Sequence, residues 1–331
     1  MKQVLLSLPA LLLAGGLLWA AHIKNIEADQ SISGPPEDPM GSHHLYQSPR
    51  DSQKIEITFE KDGIPVSPPA PLPITETWPD GYFPQLHDPE PDAPYVTLET
   101  TMGSIKLVLY PEAAPLTVQN FLVHCQEGYY DDLTFHRVVP DFMIQGGDPT
   151  GTGRGGESIF GTPFRDEPNE HLHHFRGAVA MASWGTYLNG SQFYIVQGRQ
   201  FQQTYRTEKA EAYKIQMQIN QRSTEVYTRG YDYLFDESPT EQQFREQIAV
   251  WTNEANEQLR LGYQPELHID QAMELYPEIG GAPHLDYKYT VFGQVVEGME
   301  VVDAIADHPS DPDPVRILST LVEHAPVDPA P

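Results

Sequence analysis

From Tyr95 to Leu109 the chain alternates apolar and polar residues on both sides of Thr-Thr-Met-Gly, with Val96 and Leu98 before the turn and Ile105, Leu107 and Leu109 after it. Successive side chains of a strand point to opposite faces, so a period of two around a glycine turn predicts an antiparallel hairpin with one buried face. Further strand-like stretches follow: FHRVVPDFMIQGG, GAVAMAS, GSQFYIVQG and YTVFGQVVEG, which begins at Tyr289. Between the first two hairpins, LTVQNFLVHCQEG sets Val118, Phe121, Leu122 and Cys125 at helical spacing and stops at Gly128. GMEVVDAIA supplies a second helix near the end. Many short strands and only two such helices predict a mainly β fold, a closed antiparallel barrel.

The rest of the chain reads differently. MKQVLLSLPALLLAGGLLWAAH carries Lys2 and then an apolar run from Val4 to Ala21, with small residues at Ala20 and Ala21. That is the pattern of an export signal, and a run of roughly 18 residues also approaches the length of a membrane anchor. Residues 23–93 are rich in proline and acid, as in VSPPAPLPITETWPDGYFPQLHDPEPDAP, which predicts a largely disordered spacer. Within it, Ile55, Ile57 and Phe59 alternate as one short strand could. Between about 200 and 282 the chain leaves the strand pattern. Phe244, Ile248, Trp251, Ala255 and Leu259 fall on one helical face, and Ala210, Tyr213 and Met217 on another. This is read as a helical insertion within a domain spanning 94–325, packed beside the barrel.

The formal net charge is −27, which argues against nucleic acid and anionic membrane surfaces as partners. Cys125 is the single cysteine, so no internal disulfide forms, and its helical register predicts a core residue. HLHHF (171–175) has no carboxylate or cysteine at ligand spacing and reads as a loop cluster without metal. GTGRGG is followed by neither Lys-Ser nor a helix pattern, so it fails as a phosphate loop.

Arg137 is the anomaly, a permanent charge among Phe135, Val138, Val139, Phe142 and Met143. The motifs around it occur in a telling order: MGSIKLVLYPEAAPLTVQNFLVHCQEGYYDDLTFHRV, FHRVVPDFMIQGGD, NGSQFYIV and HLDYKYTVFGQVVEGMEVVDAI. Together they resemble the cyclophilin-type peptidyl-prolyl cis–trans isomerases over about residues 94–200 and 283–306. The resemblance implies an eight-stranded barrel capped by two helices, no cofactor, and proline-containing segments of unfolded or partly folded proteins as partners. It implies Arg137 as the catalytic donor. Phe142, Met143, Tyr194 and Leu285 match the proline pocket, with Tyr194 where phenylalanine is usual. Gln145, Gln192, Ala182 and Ser183 match the groups that meet the substrate backbone. His284 and Tyr289 replace a tryptophan, which in many members contacts cyclosporin, and a histidine. Ser183 replaces an asparagine, and Trp184 follows it where a small residue is usual.

Those residue types suit the chemistry. Rotating an X–Pro bond breaks amide resonance, a barrier of about 18–20 kcal/mol, and needs no nucleophile, metal or exchanged proton. An apolar slot grips the ring, while a fixed guanidinium donates to the nitrogen lone pair that appears as the amide twists. The function expected is isomerisation during folding of exported proteins, in the periplasm or cell envelope, with anchoring through residues 4–21 as an open possibility. The alternatives are a proline-peptide binding chaperone and an envelope scaffold with little catalysis.

Overall fold

The computed structural model describes residues 60–61, 64–65, 78–90, 93–183, 189–199, 210–236, 239, 241–262, 266–308 and 314–323. The export signal, most of the proline-rich spacer with its strand at Ile55–Phe59, and Trp184 lie outside the described residues. Among those described, no helix is long and apolar enough to cross a membrane.

The hairpin is present: β1 (Tyr95–Thr100) pairs with β2 (Gly103–Leu109), Val96 opposite Leu107 and Leu98 opposite Ile105. The Thr100 hydroxyl closes the turn by donating to the Gly103 carbonyl at 2.6 Å. The remaining strands are β3 (Arg137–Val139), β4 (Met143–Gly146), β5 (Ala178–Ser183), β6 (Asn189–Val196), β7 (Val291–Glu297) and β8 (Ile317–Glu323). All eight form one antiparallel sheet in the order β8-β1-β2-β7-β5-β6-β4-β3. The sheet is curled, and the residues just before its two edge strands are joined by an isolated bridge between Thr134 and Arg316, with the Phe135 amide donating to the Val315 carbonyl at 2.9 Å. A separate small ladder pairs Glu60–Lys61 with Ile64–Pro65.

Alternation decides which side chains fill the interior. Ile144, Val179, Met181, Phe193 and Ile195 point inward with Val96, Leu98, Ile105 and Leu107, so Met143, Gln145, Ala180, Ala182, Gln192 and Tyr194 point out. Two helices complete this core. α1 (Pro115–Gln126) contributes Leu116, Val118, Phe121, Leu122 and Cys125. Proline opens it, and the Glu167 carboxylate accepts the Leu116 and Thr117 amides at 3.1 and 2.9 Å, an anion at a helix N-terminus. Burial pushes the Cys125 thiol up, as befits a core residue. The second capping helix, which contributes Val302, Ile305 and Ala306, runs from Met299 to Ala306; Gly298 before it is left-handed and lies against the Ser104 carbonyl.

Three helices lie between β6 and β7: α2 (Ala210–Asp236), α3 (Glu241–Arg260) and α4 (Leu267–Ile279), so the capping helix 299–306 is α5. The described residues fall into two compact units that divide this insertion. Residues 222–262 form one, in which Val226, Phe244, Ile248 and Ala255 make a small core edged by Tyr233, Trp251 and Leu259. The start of α2 and all of α4 belong instead with the sheet. There Tyr213, Met217, Ile269, Ala272, Met273 and Tyr276 pack with Phe83, Phe175 and Tyr287 as a second core.

Phe83 marks a difference from the reading of residues 23–93 as spacer. Residues 78–90 carry a short 3-10 turn (Pro84–Leu86) and are built into the sheet unit. The Gln85 side chain accepts the His173 amide at 2.7 Å and donates to the His173 and Gln294 oxygens at 2.9 and 3.0 Å. Composition alone spoke for disorder here; these specific partners outweigh it.

Candidate active site

The residues singled out in the sequence occupy the outer face of β3–β4–β6 and the turn before β7. Arg137 faces Gln145 across β3–β4, Gln145 faces Tyr194 across β4–β6, and Tyr194 faces Ala180 across β6–β5. Directly opposed residues share a face, so guanidinium, amide and phenol form one row across three strands. A chain of hydrogen bonds fixes the polar end: Arg137 Nη1 to Gln145 Oε1 at 3.4 Å, Gln145 Nε2 to Gln192 Oε1 at 2.9 Å, and Gln192 Nε2 to the Gly155 carbonyl at 2.7 Å. The glycine loop thus flanks the site. Asp148 holds that loop by accepting the amides of Thr150, Thr152 and Arg154 at 2.8–3.0 Å. Gly147, also left-handed, lies against the Ser191 carbonyl, where a side chain would collide.

The apolar end is built from Phe142, Met143, Tyr194, Leu285 and Tyr289, all buried. Phe142 follows the tight β3–β4 turn, its amide donating to the Val139 carbonyl at 3.1 Å. Its ring stacks on His284 at 5.8 Å and 22°. Tyr289 meets Tyr194 edge to face at 6.2 Å. His284 is half-buried and, with Leu285, belongs to the 3-10 turn Pro283–Leu285. Ala182 is buried at the bulge where β5 leaves register with β6, and Ser183 stands half-buried beyond it, opposite Asn189. Arg137 itself is only half-buried.

Beneath this site lies a polar network that sequence reasoning missed. Asp286, directly after Leu285, is 1% exposed and accepts four hydrogen bonds. His173 Nδ1 donates at 2.8 Å, His174 Nδ1 at 2.8 Å, the His174 amide at 2.7 Å and the Tyr276 hydroxyl at 2.7 Å. On its far side, His174 Nε2 lies 2.9 Å from the Tyr194 hydroxyl. The Asn220 side chain donates to the His284 and Asp286 carbonyls at 3.1 and 2.8 Å. Burial alone would raise the Asp286 carboxyl, but the His173 and His174 donors outweigh it and hold the group well below the usual carboxylate range. Burial lowers His174, against the pull of Asp286. His171, His173 and His174 lie in a loop as read, but all three are buried, and His173 and His174 do have a carboxylate partner, Asp286, 113 and 112 residues away in the chain. Among the described residues, no group of histidine, cysteine or carboxylate side chains is arranged to hold a metal ion.

The buried histidines set the response to acid. Burial lowers His174 and also His124, whose Nε2 faces the Glu157 carbonyl at 3.0 Å. The unfolded chain therefore binds protons below about pH 6.5 that the folded chain still refuses. Stability is expected to fall as pH drops from 7 to 5, before most carboxylates protonate. Thermal melts across that range check this; a midpoint rising steadily on acidification would show that relief of charge repulsion governs instead.

Residues 95–216 and 269–322 match the family described as cyclophilin type peptidyl-prolyl cis–trans isomerase/CLD; the interruption falls within the helical insertion. A bifunctional phosphatase/peptidyl-prolyl cis–trans isomerase of Streptococcus pyogenes serotype M6 is 39% identical over 226 residues. That alignment covers 68% of this chain but only 36% of the streptococcal protein. Peptidyl-prolyl cis–trans isomerases of Staphylococcus saprophyticus and Staphylococcus aureus are 35% and 34% identical, over 63% and 70% of this chain and 79% and 91% of theirs. A solved cyclophilin type peptidyl-prolyl cis–trans isomerase of Cryptosporidium parvum aligns at a TM-score of 0.43 and 25% identity, over 71% of this chain and 99% of that one.

Proposed function

Because the chain belongs to the cyclophilin-type peptidyl-prolyl cis–trans isomerases, we propose that Arg137 and the apolar slot beside it rotate X–Pro bonds, and that the protein serves folding outside the cytoplasm. The observation that carries the site is the row Arg137–Gln145–Tyr194, a fixed guanidinium at one end and a buried aromatic floor at the other. The proline ring sits among Phe142, Met143, Tyr194, Leu285 and Tyr289. Gln145, Gln192, Ala182 and Ser183 meet the peptide backbone, and His284 borders the slot. As the amide twists and its nitrogen becomes an acceptor, the Arg137 fork donates to it; the planar ground state offers no such lone pair, so the interaction favours the transition state. A millionfold acceleration corresponds to about 8 kcal/mol of such preference. Proline-containing segments of unfolded or partly folded proteins are the substrates.

The sheet in this reading is a closed barrel whose outer wall carries the site; the Thr134–Arg316 bridge supports closure. Exchange of a tetrapeptide with an Ala–Pro bond, followed by NMR, tests the activity: wild-type protein that binds the peptide without accelerating its isomerisation would make it a binding chaperone.

Export rests on Lys2 followed by the apolar run Val4–Ala21. The protein is expected in the periplasm or cell envelope. Fractionation combined with sequencing of the mature N-terminus decides. A start near residue 22 indicates cleavage, an intact start in the membrane fraction indicates anchoring, and an intact start in the cytosol overturns the location.

A further inference from the structure

The Asp286 network reaches the slot at the Tyr194 hydroxyl. Tyr194 is 0% exposed, so its hydroxyl must be satisfied inside the protein. His174 does this in a defined way. Its Nδ1 lies 2.8 Å from a carboxylate oxygen, which can only accept, so Nδ1 carries the proton. Nε2 is then the acceptor, and the Tyr194 hydroxyl donates to it at 2.9 Å. The imidazole and phenol planes are nearly parallel, 15° apart, with ring centroids 6.0 Å from each other. Asp286 is itself held from the insertion: Tyr276 on α4 donates to its carboxylate, and Asn220 on α2 to its carbonyl and that of His284.

We infer that His174 and Asp286 are positioning residues that hold Tyr194 as the floor of the proline slot, and that Tyr276 and Asn220 make the insertion part of that device. This rests on the slot being the site of X–Pro isomerisation. A floor that needed only an aromatic ring would be served equally by phenylalanine. Here the phenol is tied to a buried histidine that has no other role at the slot, so ring and network work as a unit. Burial, which lowers His174, keeps its ring neutral and its Nε2 an acceptor.

The test is a double-mutant cycle on Tyr194→Phe and His174→Gln, with kcat and KM measured on the Ala–Pro tetrapeptide. Each single variant is expected to lower kcat/KM by roughly three- to tenfold, the factor for one ordinary hydrogen bond, mainly through KM. The double variant is expected to lose no more than the worse single one, because both break the same bond. Losses that multiply, or a Tyr194→Phe protein with unchanged constants, overturn the inference while leaving the isomerase reading intact; wild-type protein without activity overturns both. If His174→Gln does not fold, Tyr194→Phe alone decides. Its ¹⁵N spectrum is expected to show the His174 Nε2 resonance shifted by loss of its donor together with a raised KM. A shifted resonance with unaltered KM is a bond without a positioning role and overturns the inference.

Discussion

Arg137→Ala is expected to lower kcat/KM on the Ala–Pro tetrapeptide by at least tenfold while the melting temperature stays nearly where it was. Arg137 is half-buried on the outer face, and its bond to Gln145 is long at 3.4 Å, so its removal leaves the interior core untouched. In the proposed mechanism the interaction lost exists only when the amide is twisted, and tenfold corresponds to about 1.4 kcal/mol of transition-state stabilisation. Arg137→Lys keeps the charge but replaces the planar fork with a flexible ammonium, so it is expected to recover only part of the rate. An Arg137→Ala protein with full activity would remove Arg137 from the reaction.

Asp286→Ala is expected to do the opposite, striking stability first. It strips the shared acceptor from His173, His174, Tyr276 and one backbone amide, all in a region where water cannot replace it. Removing one partner of a buried ionic cluster costs about 3–5 kcal/mol, which in a domain of this size lowers the melting temperature by roughly 10 °C. Asp286→Asn keeps the volume and one acceptor oxygen and is expected to lose less. Calorimetry on the three proteins checks the order; an alanine variant as stable as the parent would mean that the four donors find other partners.

The strands were legible in the sequence, and Arg137 was conspicuous in it, because both signals are local. Alternation through Val96, Leu98, Ile105 and Leu107 and the charge set within FHRVVPDFMIQGG are each contained in a few consecutive residues. The Asp286 network was not legible for the converse reason. His173 and His174, Asn220, Tyr276 and Asp286 come from separate stretches, and each looks ordinary in its own: a polar loop, a helical amide, a tyrosine before Pro277, an acid after Leu285. Helix α4 is not singled out in the reading of residues 200–282 as a helical insertion, although Ile269, Ala272, Met273 and Tyr276 follow helical spacing. Residues 78–90 misled through composition, because a proline-rich, acidic stretch gives no sign that Phe83 and Gln85 have places prepared for them.

The pairing of the first strand with the last has a topological consequence. Tyr95 and Glu323 are register partners, and Glu323 also reaches across β1 to β2 by its 2.8 Å ion pair with Lys106. The sheet is thus entered and left at one spot, a few ångströms wide. A domain with such joined ends behaves as a cassette: it can be set into a loop of a host chain, or permuted by linking its ends and reopening it elsewhere, without dragging the host apart. On the N-terminal side such a cassette would carry residues 78–90 with it, because Phe83 and Gln85 are packed into the same unit.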